Sequence, residues 1–198
     1  PSPQEKGMSY LVRELKPTFE RLAEPLINFF QRLGITPNLL TFTGLLLTAL
    51  GSVALYLEER FLALLLLSLG SSCDFLDGSL ARRLSKDSKF GAFIDSLTDR
   101  ISDALPFIAI ALSSGDKLVS LLAMLSILFS YTVSYARARA EGLGHELKVG
   151  LFERPERWIV LLIGLALDLI PLTLFIIAAG SLFTTLQRVY IFKKLERR

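Results

Sequence analysis

Apolar residues along this chain gather into six long runs, at about 38–57, 61–81, 90–113, 117–136, 156–170 and 172–192, with charged connections between most of them. Most of the runs approach the ~20 residues that carry an α-helix across a bilayer. The pattern predicts an all-α integral membrane protein with six transmembrane helices. The last two are expected to be short, because the apolar stretch 158–192 is broken only by Asp168 and Pro171, which read as a tight hairpin. Upstream, Leu11, Leu15, Phe19, Leu22, Leu26, Phe29 and Phe30 recur at helical spacing among charges. That spacing predicts an N-terminal juxtamembrane amphipathic helix within 9–33, lying in the interface and bent near Pro17 or Pro25. The expected organisation is an N-terminal segment 1–35, a six-helix domain 36–192 and a basic tail 193–198. Because the chain begins at Pro1 and not at Met, residues 1–35 are also read as the end of, or linker from, an upstream domain.

Charge placement orients the spans. Of the 22 basic residues, 19 fall in the N-terminal segment, the second-to-third connection, the fourth-to-fifth connection through Arg157, and the C-terminal end from Arg188 onward, which an even number of spans places on one side of the membrane. Cytoplasmic loops carry the Lys/Arg excess, so both termini are expected in the cytoplasm, on a multi-pass protein of the cell membrane. The net charge of +3 matters less than this basic face, which suits anionic headgroups and phosphorylated substrates; no nucleic-acid partner is expected. Cys73 is the one cysteine, so no intrachain disulfide forms. Trp158 reads as an interfacial anchor and His145 as a solvated loop residue.

Against this background the stretch CDFLDGSLARRLSKDSKFGAFIDSLTDR, residues 73–100, is anomalous. Asp74 and Asp77 are three residues apart and Asp95 and Asp99 four apart, so each pair shares one face of its helix. If the two helices pack together, four carboxylates converge, at several kcal/mol per uncompensated charge near the bilayer. A cation is expected to offset that cost. Carboxylate oxygens select hard divalent ions, Mg²⁺, Mn²⁺ or Ca²⁺, and the Cys and His set that zinc prefers is missing. Small residues, Gly78 and Ala81 after the first pair and Gly91 and Ala92 before the second, let the backbones approach. Simple pairing with a neighbouring base, Asp99 with Arg82 or Asp103 with Arg100, is the structural alternative. A divalent-cation transporter is the alternative of another class.

Written as D-x2-D-G-x2-A-R-x8-G-x3-D-x3-D, the segment matches Asp74, Asp77, Gly78, Ala81, Arg82, Gly91, Asp95 and Asp99. It resembles the signature of the CDP-alcohol phosphotransferases, membrane enzymes that make phospholipid headgroups. The resemblance implies six spans, a homodimer, two Mg²⁺ ions (Mn²⁺ or Ca²⁺ can occupy the site) and a CDP-linked lipid donor attacked at its β-phosphorus by an acceptor hydroxyl, with release of CMP. By analogy Asp74 and Asp95 bridge the ions, Asp77 binds one, and Asp99 binds the other and takes the acceptor's proton. Asn38, Thr41, Asp77, Gly78, Ala81, Arg82 and Ser88 are similar to the family's donor-contacting positions.

The stretch SYARARAEGLGHELKVGLFERPERW, residues 134–158, resembles the branch that uses inositol phosphate. Arg137, Arg139, Arg154 and Arg157 are expected to clamp a phosphorylated polyol, since arginine binds phosphate in two-point geometry, with Glu141 and Glu153 positioning them. The positive-inside rule alone also explains basic residues there. Glycerol 3-phosphate, as in phosphatidylglycerolphosphate synthases, is the other acceptor expected within the same chemistry.

Overall fold

The computed structural model describes residues 23–84, 89–147 and 149–196, with the side chains of 81–84 left aside. Rather more than the first half of the expected amphipathic helix, including Pro17, therefore lies outside the described residues. What is described is helical throughout, without strands. α1 runs over 23–32. It is followed by α2 (Pro37–Tyr56), α3 (Arg60–Leu84), α4 (Lys89–Ser113), α5 (Lys117–Gly142), α6 (Arg154–Ala166) and α7 (Ile170–Glu196). Two compact units contain them, one with α1–α4 and one with α5–α7.

In the first unit α2 is the central helix. Its start is well specified: the Thr36 side chain accepts from Leu39 N at 3.3 Å and Pro37 opens the first turn, where its missing N–H costs nothing. Gly34, at φ 71°, ends α1 in the left-handed conformation. Its N–H bonds Gln31 O, and Ile35 N bonds Phe30 O, satisfying two terminal carbonyls of α1. Ile27 of α1 then packs with Leu40, Leu76 and Leu80, fastening α1 to the start of α2 and the end of α3.

Small residues let α3 lie close along α2. A Cβ on Gly51 would stand 2.9 Å from Leu67 Cγ, and one on Gly70 would meet Thr48 Oγ1 at 2.5 Å. α4 packs on another side of α2, burying Thr98, Ser102, Asp103, Ala104, Phe107 and Ile110. In the second unit α5 and α6 both pack on α7. Ser126 Oγ bonds Leu174 O at 3.1 Å, the Thr132 and Thr185 hydroxyls are 3.0 Å apart, and Thr173 of α7 sits directly against Gly164 of α6.

A helix forms over each of the six apolar runs, with two differences. The hairpin forms around Asp168, at φ 59°, but only α6 is short; α7 has 27 residues and takes Pro171 into its first turn. Among the described residues, four helices, Pro37–Tyr56, Arg60–Leu80, Lys117–Gly142 and Ile170–Glu196, are long and apolar enough to cross a membrane, which makes this a multi-pass membrane protein. α4 falls outside that set because Asp95, Asp99, Arg100 and Asp103 interrupt it. α6 falls outside because 13 residues extend about 20 Å against a hydrocarbon thickness of about 30 Å.

Candidate active site

The acidic residues lie on α3 and α4 of the α1–α4 unit. Asp74 and Asp77 lie one turn apart in the C-terminal half of α3, and Asp95 and Asp99 one turn apart in the N-terminal half of α4. Asp77 is buried at 4% exposure, and the other three are half-buried. α2 carries none of the four, yet touches both acids of α3. Thr41 Oγ1 donates to Asp77 Oδ2 at 2.6 Å and to Pro37 O at 3.1 Å. One turn on, Gly44 faces Asp74 so closely that a Cβ there would lie 2.7 Å from Asp74 Oδ1. The carboxylates of Asp74 and Asp95 both stand within electrostatic reach of Asp77, so acids from α3 and α4 face one another. Asp99 lies 3.7 Å from the Arg100 guanidinium, which also donates to Ser96 O at 2.8 Å.

Such a set suits a hard cation. Every candidate ligand atom is a carboxylate oxygen, and the absence of a Cβ at Gly44 leaves Asp74 room on the side of α2. As placed, no three acidic, histidine or cysteine side chains among the described residues enclose a single point. Closure on an ion therefore requires rotamer changes, which short side chains at the edge of a packed unit can make.

Other expected donor contacts are distributed around this cluster. Asn38 is exposed at the start of α2 and Gly78 is half-buried beside Asp77. The Thr41 hydroxyl is engaged by Asp77 and the Pro37 carbonyl. Ala81 and Arg82 fall in the last turn of α3, where only the backbone is described, and Ser88 lies outside the described residues.

The arginines belong to the α5–α7 unit. Arg137 Nε donates to Glu141 Oε1 at 2.9 Å, as expected of a positioning glutamate. Arg139 is exposed, Arg154 half-buried at the start of α6, and Arg157 buried at 3%. Arg137 and Arg157 both act electrostatically on a residue counted from sequence only as part of the basic tail, Arg188. Arg188 is 2% exposed and donates from Nε to Val149 O at 2.7 Å, from Nη1 to Val133 O at 2.5 Å and from Nη2 to Glu153 Oε1 at 2.9 Å. Glu153 thus holds Arg188 foremost. Burial pushes its carboxyl above the usual value, against the pull of Arg188 and Arg137. Glu153 also opens α6, its N–H bonding Glu156 Oε2 at 3.1 Å. Trp158, expected at the interface, is 7% exposed, and His145 is half-buried edge-on to Phe192, with ring centroids 5.4 Å apart.

Sequence reasoning missed Gly44 and Arg188. Gly44 stands three residues after Thr41, the spacing that puts both on one face of α2. Arg188 left a plainer signal: a cation inside the apolar run 172–192, flanked by Thr184, Thr185 and Gln187.

Residues 34–191 match the family model described as CDP-alcohol phosphatidyltransferase. The archaetidylinositol phosphate synthase of Pyrococcus horikoshii is 40% identical over 188 residues, spanning 94% of this chain and 97% of that one. The crystal structure of Mycobacterium tuberculosis phosphatidylinositol phosphate synthase with CDP-DAG bound superposes with a TM-score of 0.78 at 26% identity, over 87% of this chain and 94% of that one. The same enzyme in complex with manganese and citrate gives a TM-score of 0.76 at 27% identity, over 85% and 87%. With its acids on two helices gathered around a third, and with the family model matching most of its length, this chain belongs to the CDP-alcohol phosphatidyltransferase family.

Proposed function

We propose that this protein transfers a phosphatidyl-type group from a CDP-linked lipid to inositol 1-phosphate, releasing CMP. The observation that carries the reading is the set of carboxylates from α3 and α4 disposed around Asp77, in a chain 40% identical to an archaetidylinositol phosphate synthase. In the reaction a bond forms between the acceptor oxygen and the β-phosphorus as the bond to CMP breaks. Asp99 takes the acceptor's proton. Asp74, Asp77 and Asp95, with Asp99, hold two divalent ions, Mg²⁺ foremost, in keeping with the manganese complex of the mycobacterial relative. Bound there, the metal neutralises the diphosphate and stabilises the leaving phosphate.

Asn38, Thr41, Gly78, Ala81, Arg82 and Ser88 contact the CDP portion. Arg137, Arg139, Arg154 and Arg157 take the acceptor's phosphate. The charge alternation supports six spans with both termini and the reaction on the cytoplasmic side, in a homodimer. α6 then crosses only part of the bilayer, which polar residues at its ends and local thinning accommodate.

The test is CMP release by purified protein in nanodiscs with Mg²⁺, using CDP-diacylglycerol or its ether-lipid counterpart and three acceptors: inositol 1-phosphate, glycerol 3-phosphate and serine. Release with inositol 1-phosphate alone is expected. Preference for glycerol 3-phosphate would reassign the acceptor, and no release with any acceptor would end the reading. Arg137→Ala and Arg154→Ala are expected to raise the acceptor KM with Mn²⁺ binding retained.

A further inference from the structure

The four carboxylates come from α3 and α4, but both acids on α3 also lie against α2. Thr41 and Gly44 are three residues apart and share one helical face. They act in opposite senses. Thr41 holds a carboxylate in place through a 2.6 Å hydrogen bond to Asp77 Oδ2. Gly44 keeps a space open, since any Cβ would fall 2.7 Å from Asp74 Oδ1 and 3.1 Å from both Cys73 Cβ and Gly70 O. Of those three neighbours, two belong to or adjoin the α3 backbone and are rigid. The Asp74 carboxylate, at the end of a rotatable bond, is the one that gives way.

We propose that Thr41 and Gly44 are positioning residues for the metal centre: one face of α2 fixes Asp77 and clears the rotamer of Asp74, setting the spacing of two acids it does not itself carry. This rests on the reading of those acids as metal ligands. The Thr41 hydroxyl engages Asp77 Oδ2 and so restricts the carboxylate to one orientation. A methyl at Gly44 would rotate the Asp74 carboxylate away or wedge α2 from α3; the first changes the ligand set and the second changes both. Residues that orient ligands in this way commonly affect metal affinity about ten- to hundredfold.

The interface supplies its own control. Gly51 packs against the same helix, with a prospective Cβ 2.9 Å from Leu67 Cγ. It lies about 10 Å farther along α2 at 1.5 Å per residue, away from the acids. Mn²⁺ binding to the full chain in nanodiscs, followed by loss of the free-ion electron paramagnetic resonance signal, separates positioning from packing. Thr41→Val and Gly44→Ala are expected to raise the half-saturating Mn²⁺ concentration about tenfold or more, and Thr41→Ser to restore it. Gly51→Ala is expected to lower the unfolding temperature and leave Mn²⁺ affinity as in the wild type. Wild-type affinity in both Thr41→Val and Gly44→Ala would overturn the proposal, as would equal losses in Gly44→Ala and Gly51→Ala. A wild-type chain that takes up no Mn²⁺ would overturn the metal reading beneath it.

Discussion

Arg188 offers a quantitative test of how the second unit is held together. Its guanidinium joins α7 to the Val133 carbonyl of α5, to the Val149 carbonyl in the following connection and to Glu153 at the start of α6. Arg188→Met keeps most of the side-chain volume and deletes every donor. The buried Val133 carbonyl, which keeps its intrahelical partner, and the part-buried Val149 carbonyl then lose the guanidinium, at about 1 kcal/mol or more each. Glu153, whose side chain is only 18% exposed, loses its counter-charge, and breaking a buried pair from one side costs about 3–5 kcal/mol. These penalties overlap, because the same collapse relieves several of them, so the expected loss is about 3–5 kcal/mol in total. Arg188→Lys retains the charge but presents one nitrogen where three separated acceptors are served, and about 1–3 kcal/mol should be lost. Unfolding of purified protein in mild detergent, followed by circular dichroism against denaturant, measures both. The double variant Arg188→Met/Glu153→Gln should recover part of the loss, since it removes the stranded charge. A loss below about 1 kcal/mol for the methionine variant, or identical losses for Lys and Met, would refute the account of Arg188 as a three-way strut.

Two further outcomes follow from the same unit. Burial holds the Glu153 carboxyl above its usual 4.5, so the folded state binds this proton more readily than the unfolded chain. The penalty is therefore full above the folded value and absent below the usual one. Measured against Glu153→Gln, wild-type stability should rise as pH falls from neutrality toward about 4.5; a relative fall, seen in paired unfolding curves, would contradict it. At the α6–α7 contact, Gly164→Ala places a methyl in the space occupied by the Thr173 side chain. A loss of about 1–3 kcal/mol is expected, recovered in part by Thr173→Ala, and an unchanged unfolding midpoint would show that the helices separate freely.

Helix positions were legible because hydrophobic runs are a local property. The six apolar runs correspond to α2–α7, and Asp168 marks the tight turn that divides the stretch 158–192 between the last two. Lengths were less legible. Polar residues that end an apolar run do not end a helix, so α5 continues to Gly142 and α7 to Glu196. The acid spacing on α3 and α4 was readable because i,i+3 and i,i+4 pairs follow from helical geometry alone. What α2 contributes was not, since nothing local to Gly44 announces that Asp74 will lie against it. Arg188 was legible as a misplaced charge but not as a strut, because two of its three acceptors are backbone carbonyls and those leave no mark in the sequence.

Buried charge is handled in opposite ways in the two units, and the contrast separates structural from chemical roles. Arg188 is buried and well supplied: two carbonyls and a carboxylate take its donors, so its desolvation is offset in part on the spot. Asp77 is about as buried, but among the described residues no cation faces it: the Thr41 hydroxyl and the Gly78 backbone N–H are its hydrogen-bond donors, and its charged neighbours Asp74 and Asp95 carry its own sign. A fold selected for stability alone would replace such a group with an apolar side chain at little cost or some gain. That expense is therefore concentrated where acids from different helices meet, and it returns as affinity for whatever positive charge enters among them. Replacing Asp77 by Asn should for this reason leave the unit as stable as before, or more so, while abolishing Mn²⁺ uptake. A variant that lost both together would show that Asp77 serves the packing of α2 on α3 rather than the chemistry.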